Sequence, residues 1–324
     1  MNILHLLPFW TMGGVETFIS TLSKFSSHTH YVRADKSYAE LPESLRKWQG
    51  EHVDVLHYHH ATPLNIVPER KDILKAKRIF TVHNYYHEKP FIGTPHKTIA
   101  VSLSAAGRMR HHGIDVDLVI PPPVDLSVFH GGFEGVDDWR NILCIGDDET
   151  VVMWAGRVCP GKRPELLGDI IRANPQYRYI VVGDDYLAGG MGYVPESVRS
   201  AIEHGANVCH LPLVAHEDMA SLYRLADVFI STSLAEGFGL AVVEAMACST
   251  PVVVPDVPAL NEIVGHGAFG QCVNSLNVER FSEAVENSLA NGFIWSRRGV
   301  EQVRRLRVDA NEVAMRYDVI YVNG

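Results

Sequence analysis

The stretch Ser231-Thr232-Ser233-Leu234-Ala235-Glu236-Gly237-Phe238-Gly239-Leu240-Ala241-Val242-Val243-Glu244-Ala245-Met246-Ala247 decides how the chain is read. A short β-rich run over 228–231 leads into a polar segment broken by two glycines. A nearly unbroken apolar run follows, which predicts strand, loop and then a helix beginning near Phe238. Where strands of an α/β sheet end and helices begin, ligands bind, and a helix N-terminus favours negative charge. Glu236 stands just before that helix and Glu244 about two turns along it, so two carboxylates reach one cleft at different depths. As purely structural residues they would be an N-terminal cap and a solvated helix position. The neighbours of Glu244 are apolar on every side, however, so its helix should be buried, and a buried carboxylate needs a partner.

The same architecture extends outward. β-rich runs at 151–155, 179–182, 208–211, 228–231 and 251–254 alternate with helical patterns, as do runs at 2–7, 53–58, 78–82, 98–101 and 118–120. Such alternation predicts α/β folding with parallel strands, here in two doubly wound sheets. After the run 151–155 comes Gly156-Arg157-Val158-Cys159-Pro160-Gly161-Lys162, with two cations where a strand ends; they suit a diphosphate, or else are solvated surface charges. Thr11-Met12-Gly13-Gly14-Val15-Glu16-Thr17 also joins a strand to a helix, and its glycines would let backbone N–H groups approach a ligand. A plain tight turn explains them equally well. The spacing G-x-G-x-x-G is absent there, which counts against a dinucleotide cofactor.

Pro121-Pro122-Pro123, followed by a Gly- and Asp-rich stretch over 130–138, marks the domain junction. The expected domains are 1–135 and 136–307. The segment 295–321 reads as helix with a break near 308–309, and residues 308–324 are expected to return to the first domain.

Composition narrows the classes. The 324 residues are 46% apolar and 21% charged, as in a globular chain with a sizeable core. A formal charge of -9 argues against a nucleic-acid partner, because phosphate binding rests on Lys and Arg. Five cysteines, odd in number and with no C-x-x-C pair, predict reduced thiols and a cytoplasmic setting. No apolar run approaches the roughly 20 residues that span a bilayer. Ser44 to Trp48, with Arg46, Lys47 and Trp48, is the one candidate for peripheral contact with a membrane's inner face, and it is too short to carry that assignment.

Taken together, these segments resemble the retaining GT-B glycosyltransferases of the family 4 type. The resemblance runs through Gly13-Gly14-Val15-Glu16, Thr81-Val82-His83-Asn84, Val101-Ser102, Ile120-Pro121-Pro122-Pro123-Val124-Asp125 with Phe129, Gly156-Arg157 with Lys162, Val181-Val182-Gly183, Leu222-Tyr223 with Ala226-Asp227, and the E-x7-E element from Glu236 to Glu244. Pro251-Val252-Val253 and Glu262-Ile263-Val264 complete it. It implies two Rossmann-like domains facing across a cleft and a sugar-nucleotide donor, UDP-sugar favoured over GDP-sugar, with an unidentified acceptor hydroxyl. It further implies that Arg157 and Lys162 bind the diphosphate, that Glu244 accepts from the ribose hydroxyls, and that Glu236 contacts the transferred sugar. The backbone N–H groups of Phe238, Gly239 and Leu240 would approach the sugar or phosphates. Gly13 and Gly14 would close over the donor, and His83 would face the sugar. No metal or other cofactor is implied. The chain departs from the family at Pro122-Pro123-Val124-Asp125, which lacks the usual Asn and Gly and so stiffens the expected hinge, and at Ser249, where the pattern has Gly.

Two other readings use the same fold: a non-catalytic nucleotide-sugar-binding protein, and a UDP-sugar epimerase or hydrolase. The joint presence of Arg157, Lys162, Glu236 and Glu244 favours transfer over the first, and product formation without acceptor would mark the second. His57, His59, His60, His83 and His87 offer a rival metal site, with His57 and His59 on one strand face, but no acidic or cysteine ligand pattern accompanies them.

Overall fold

The computed structural model describes residues 1–10, 13–37, 41–59, 73–83, 94–183, 196–203, 207–212, 214–274 and 277–323. They form two compact units, one of Met1–Asp125 with Arg307–Gly324 and one of Leu126–Leu306.

The first unit is a seven-stranded parallel sheet in the order β3-β2-β1-β4-β5-β6-β7. Its strands are β1 (Asn2–Trp10), β2 (Thr29–Ser37), β3 (Leu45–Lys47), β4 (Val55–Tyr58), β5 (Lys77–Val82), β6 (Lys97–Ala100) and β7 (Leu118–Val119), with helices α1 (Gly14–Phe25) and α2 (Leu103–His111). All four residues of β4 are buried; a central parallel strand covered on both faces must be apolar throughout or pair its polar groups. The candidate membrane patch is largely β3, an edge strand. There Leu45 is buried, Arg33 lies over the Trp48 ring at 5.4 Å, and the Trp48 indole donates to the Glu51 carbonyl at 3.1 Å. Among the described residues no helix is long and apolar enough to cross a membrane.

The second unit is a six-stranded parallel sheet in the order β10-β9-β8-β11-β12-β13. It comprises α3 (Val136–Ile142), β8 (Val151–Ala155), α4 (Pro164–Ala173), β9 (Arg178–Val182), α5 (Glu196–Glu203), β10 (Val208–Leu211), α6 (Met219–Leu225), β11 (Val228–Ile230), α7 (Leu240–Ala247), β12 (Val252–Pro255), α8 (Pro258–Ile263), β13 (Gln271–Val273), α9 (Val278–Ala290) and α10 (Gly292–Leu306). Its core joins Val152, Trp154 and Ile230 to Leu167, Ile170, Ile171 and Phe281 from α4 and α9.

The chain then returns to the first unit as α11 (Ala310–Asn323). Val313, Ala314, Tyr317, Ile320 and Tyr321 recur at helical spacing and enter the core formed by Ile3, Phe18, Leu22 and Ile79. The crossing is pinned where the Val124 N–H donates to the Val308 carbonyl at 2.7 Å and the Ala310 N–H donates to the Val124 carbonyl at 3.0 Å. The division after Asp125 lies earlier than the junction expected at 135, and the physical reason is Arg224. From α6 its guanidinium donates to the carbonyls of Val128, His130 and Glu134, at 2.7, 2.9 and 3.3 Å, and so fastens residues 126–135 to the second unit.

In each sheet the strand order reverses direction at one place. The first diverges between β1 and β4, the second between β8 and β11. Loops leaving neighbouring strands in opposite directions open a crevice at the strands' C-terminal ends, which is where such sheets bind ligands.

Ser249, standing where the family pattern has Gly, adopts φ of 68°, in the left-handed region that a side chain disfavours. Replacing it with Gly removes that strain against a smaller gain of unfolded-chain entropy. Ser249→Gly is expected to stabilise the chain by up to about 1 kcal/mol, read as a raised urea midpoint; an unchanged or lowered midpoint would contradict the strain.

Candidate functional site

The loops after β8 and β11 are bound to each other. The Leu234 N–H donates to the Gly161 carbonyl at 2.8 Å and the Thr232 hydroxyl to the Lys162 carbonyl at 2.5 Å, while the Trp154 indole donates to Thr232 Oγ1 at 3.1 Å. Lys162 Nζ and Glu236 Oε1 form an ion pair, and the Ser233 hydroxyl donates to the same oxygen at 2.8 Å. The two residues that the resemblance assigns to the diphosphate and the sugar are therefore ion-pair partners. Arg157, which begins the first of these loops, is exposed and has no hydrogen-bond or ion-pair partner among the described residues.

The helix of the quoted stretch begins at Leu240, later than the expected start near Phe238, because Gly239 holds φ of 113°. A side chain there would also strike Leu260, with a Cβ only 2.5 Å from Leu260 Cδ2. The N–H groups of Phe238, Gly239 and Leu240 have no acceptor among the described residues, so the N-terminus of α7 presents free donors beside Glu236 in sequence. Glu236 does not cap that helix; it is held by Lys162 and Ser233.

Glu244 is only 4% exposed, and its required partners come from α6 and the loop before it. Tyr223 OH donates to Oε2 at 3.1 Å, and His216 Nε2 lies 2.8 Å from Oε1. Burial, and next the Glu244 carboxylate, hold the Tyr223 hydroxyl well above its ordinary range, so it remains a donor. Phe129 packs on His216 with ring centroids 4.9 Å apart. Neither His216 nor Tyr223 was assigned a role from sequence, although the demand of a buried carboxylate for donors was a signal that some such residues exist.

In the first unit Gly13 is extended, at φ of -159°, and a Cβ on Gly14 would meet nothing within 4 Å. The backbone angle thus does not demand glycine at position 13, and the surrounding space does not demand it at position 14. His83 closes β5 and is buried. Its Nε2 lies 2.9 Å from His59 Nδ1, His59 Nε2 lies 2.9 Å from His5 Nδ1, and His5 Nε2 lies 2.7 Å from His30 Nδ1. His57 bonds Tyr321 OH through Nδ1 and Thr81 Oγ1 through Nε2, both at 2.8 Å, which ties β4 to α11. Burial holds the His5 imidazole well below its ordinary range, and pushes His30 down to about 4 and His57 to about 3. One nitrogen from each of His5, His57 and His59 lies within 4.8 Å of the others, but both nitrogens of His5 and of His57 are already engaged in the bonds above. His60 and His87, considered with them from sequence, lie outside the described residues, as does Asn84.

Two parallel doubly wound units with these loops at the reversal points define the GT-B glycosyltransferase architecture. Residues 136–306, more than half of the chain, match the glycosyl transferases group 1 family, and the chain belongs to that family. It is 35% identical over 179 residues to the D-inositol 3-phosphate glycosyltransferase of Segniliparus rotundus, covering 53% of this chain and 39% of that protein. With the protein of the same name from Mycobacterium tuberculosis it is 37% identical over 183 residues, covering 55% and 37%. The chain therefore spans well under half the length of these curated relatives. Among solved structures, Anabaena HepE in complex with UDP-glucose superposes with a TM-score of 0.79 at 17% identity, covering 100% of both chains. Sucrose-phosphate synthase from Thermosynechococcus elongatus gives 0.78 at 17% identity over 99% and 98%.

Two expectations follow. Glu244→Ala strands a buried tyrosine hydroxyl and an imidazole, so it should lower stability by roughly 2–4 kcal/mol in urea unfolding; a change under about 0.5 kcal/mol would contradict the pairing. For the histidines, folding lowers pKa values from 6.5, so the unfolded chain binds more protons below that pH and stability is lost as pH falls from 6.5 through about 4 and 3. The urea midpoint should fall more steeply across that window in the wild type than in His57→Phe; parallel slopes would contradict it.

Proposed function

We propose that this protein transfers a sugar from a nucleoside diphosphate sugar to an acceptor hydroxyl with retention of anomeric configuration. The observation that carries this reading is the cluster at the reversal point of the second sheet: unpartnered Arg157, Lys162 beside Glu236, and the free amides opening α7. UDP is favoured as the donor base, supported by the likeness to a protein solved with UDP-glucose. The names of the curated relatives make a phosphorylated polyol a first acceptor to try.

In the proposed reaction the acceptor oxygen attacks the anomeric carbon as the bond from that carbon to the phosphate oxygen breaks. The acceptor's proton passes to the leaving phosphate, on the face the diphosphate vacates, giving the glycoside and the nucleoside diphosphate. Negative charge grows on the diphosphate during this step, and fixed cations and amide donors aimed at it lower the barrier. Arg157 and Lys162 supply that charge, so the scheme needs no metal. Lys162 must then share its ammonium between Glu236 and the donor, which lets Glu236 turn towards the sugar. Glu244, held by His216 and Tyr223, retains lone pairs for the ribose hydroxyls. The resemblance further assigns donor contacts to Gly13, Gly14 and His83. Five unbridged cysteines support a reducing, cytoplasmic setting for the reaction.

Because Arg157 is exposed, Arg157→Ala should leave the unfolding midpoint unchanged while lowering turnover by about 10²- to 10³-fold, measured as nucleoside diphosphate release that depends on acceptor. Near wild-type transfer and donor affinity in this variant would overturn the assignment, and release without any acceptor would indicate hydrolysis instead.

A further inference from the structure

Four buried histidines from four strands or strand ends of the first sheet make an unbroken chain of ring-to-ring contacts: His30 from β2, His5 from β1, His59 just past β4 and His83 just past β5. The three N···N distances are 2.7, 2.9 and 2.9 Å, all of hydrogen-bond length. The rings of His5 and His30 lie at 14° to each other and those of His5 and His59 at 24°, with centroids 5.0 and 5.2 Å apart, so neighbouring rings meet nearly coplanar, edge to edge through their nitrogens. His5, His30 and His59 are no more than 1% exposed, and His83 is 8% exposed.

The chemistry of a neutral imidazole turns this geometry into a constraint. Each ring carries one proton, and each contact needs one proton between its two nitrogens. If His5 holds its proton on Nε2, that proton is given to His30 Nδ1, so His30 must carry its own on Nε2. The bare Nδ1 of His5 then requires Nε2–H on His59, and the bare Nδ1 of His59 requires Nε2–H on His83. The alternative arrangement reverses all four together. Mixed tautomers would set two lone pairs or two N–H groups against each other in a dry core, which is the costly outcome. Burial keeps His5 and His30 neutral at physiological pH, since both have pKa values lowered by desolvation. At the far end, His30 Nε2 is buried without a hydrogen-bond partner among the described residues, and His28 Nε2 is in the same condition.

We propose that His30, His5, His59 and His83 are a tautomeric relay whose four rings hold one common tautomer, and that His30, His5 and His59 are positioning residues for His83. The tautomer of His30 is imposed ring by ring on His83, whose Nδ1 is thereby set as donor or as acceptor without a cation forming in the core. The relay as a property of the fold stands alone; its catalytic use rests on the proposed sugar contact of His83.

The test is nitrogen NMR of the full chain labelled with ¹⁵N-histidine, in which bare and protonated ring nitrogens are distinguished directly. The expected result is one common tautomer for all four histidines at neutral pH. Opposite tautomers on any two of them, or an imidazolium on any, would overturn the relay. So would one equivalent of added zinc that shifts His5, His57 and His59 together, because a metal ligand set and the relay need the same nitrogens. In His5→Phe, which keeps a planar ring and cuts the chain, the tautomer of His30 should no longer track that of His59 and His83. If that variant fails to fold, His30→Phe tests the remaining three. For the positioning role, kcat in His5→Phe should fall about ten- to a hundredfold with the KM for donor unchanged; an unchanged kcat would overturn it. A wild type with no transfer activity would sink the proposed function and leave the NMR result to decide the relay.

Discussion

Strands β8 and β11 lie side by side and parallel, yet the chain leaves them in opposite directions, and the second unit's site hangs on that divergence. The strand register puts Gly156 and Ser231 at neighbouring strand ends, so the loops that follow must meet. Once they meet, the bonds from Thr232 and Leu234 fix the path of the 156–163 loop and bring Lys162 to Glu236. Close approach is demanded elsewhere at this end of the sheet as well. A Cβ on Gly183, at φ of 139°, would sit 1.8 Å from the Gly156 carbonyl oxygen. The cations, the free amides of α7 and the buried Glu244 thus follow from one topological fact together with a few polar side chains.

Much of this was legible in the sequence because it is written in local pattern. Alternating β-rich and helical runs gave both sheets, the two glycines after Glu236 placed the loop, and the apolar surroundings of Glu244 required that it be paired. What stayed illegible is what depends on distance along the chain. His216 and Tyr223 come from a separate segment; Leu222-Tyr223 belongs to the family resemblance, but only the fold brings the two residues to Glu244. The helix start at Leu240 turns on a left-handed Gly239 that propensity cannot show. The boundary at Asp125 depends on Arg224 reaching back to three carbonyls, whereas the Gly- and Asp-rich composition pointed further on. The histidines are the plainest case: His57 and His59 were visible as a pair on one strand, but His5 and His30 look like ordinary strand residues until β1, β2 and β4 are set side by side.

Both units spend buried polar groups in the same manner. Glu244 with its two donors, and the histidine chain with His57, Thr81, Tyr317 and Tyr321, are networks in which nearly every atom is matched. Such networks are costly when broken and specify one arrangement when complete. The histidine chain ends at His83, just past β5, and Glu244 lies on the helix that follows the loop after β11.

The central claim is that the second unit holds a nucleoside diphosphate, and ligand-induced thermal stabilisation tests it most directly. The purified protein is heated with UDP-, GDP- and ADP-sugars and with the free nucleotides, since a ligand that binds only the folded state must raise Tm. The account predicts a saturable rise with one nucleoside diphosphate and its sugars, strongest for the uridine series. No rise with any of them at millimolar concentration would contradict it.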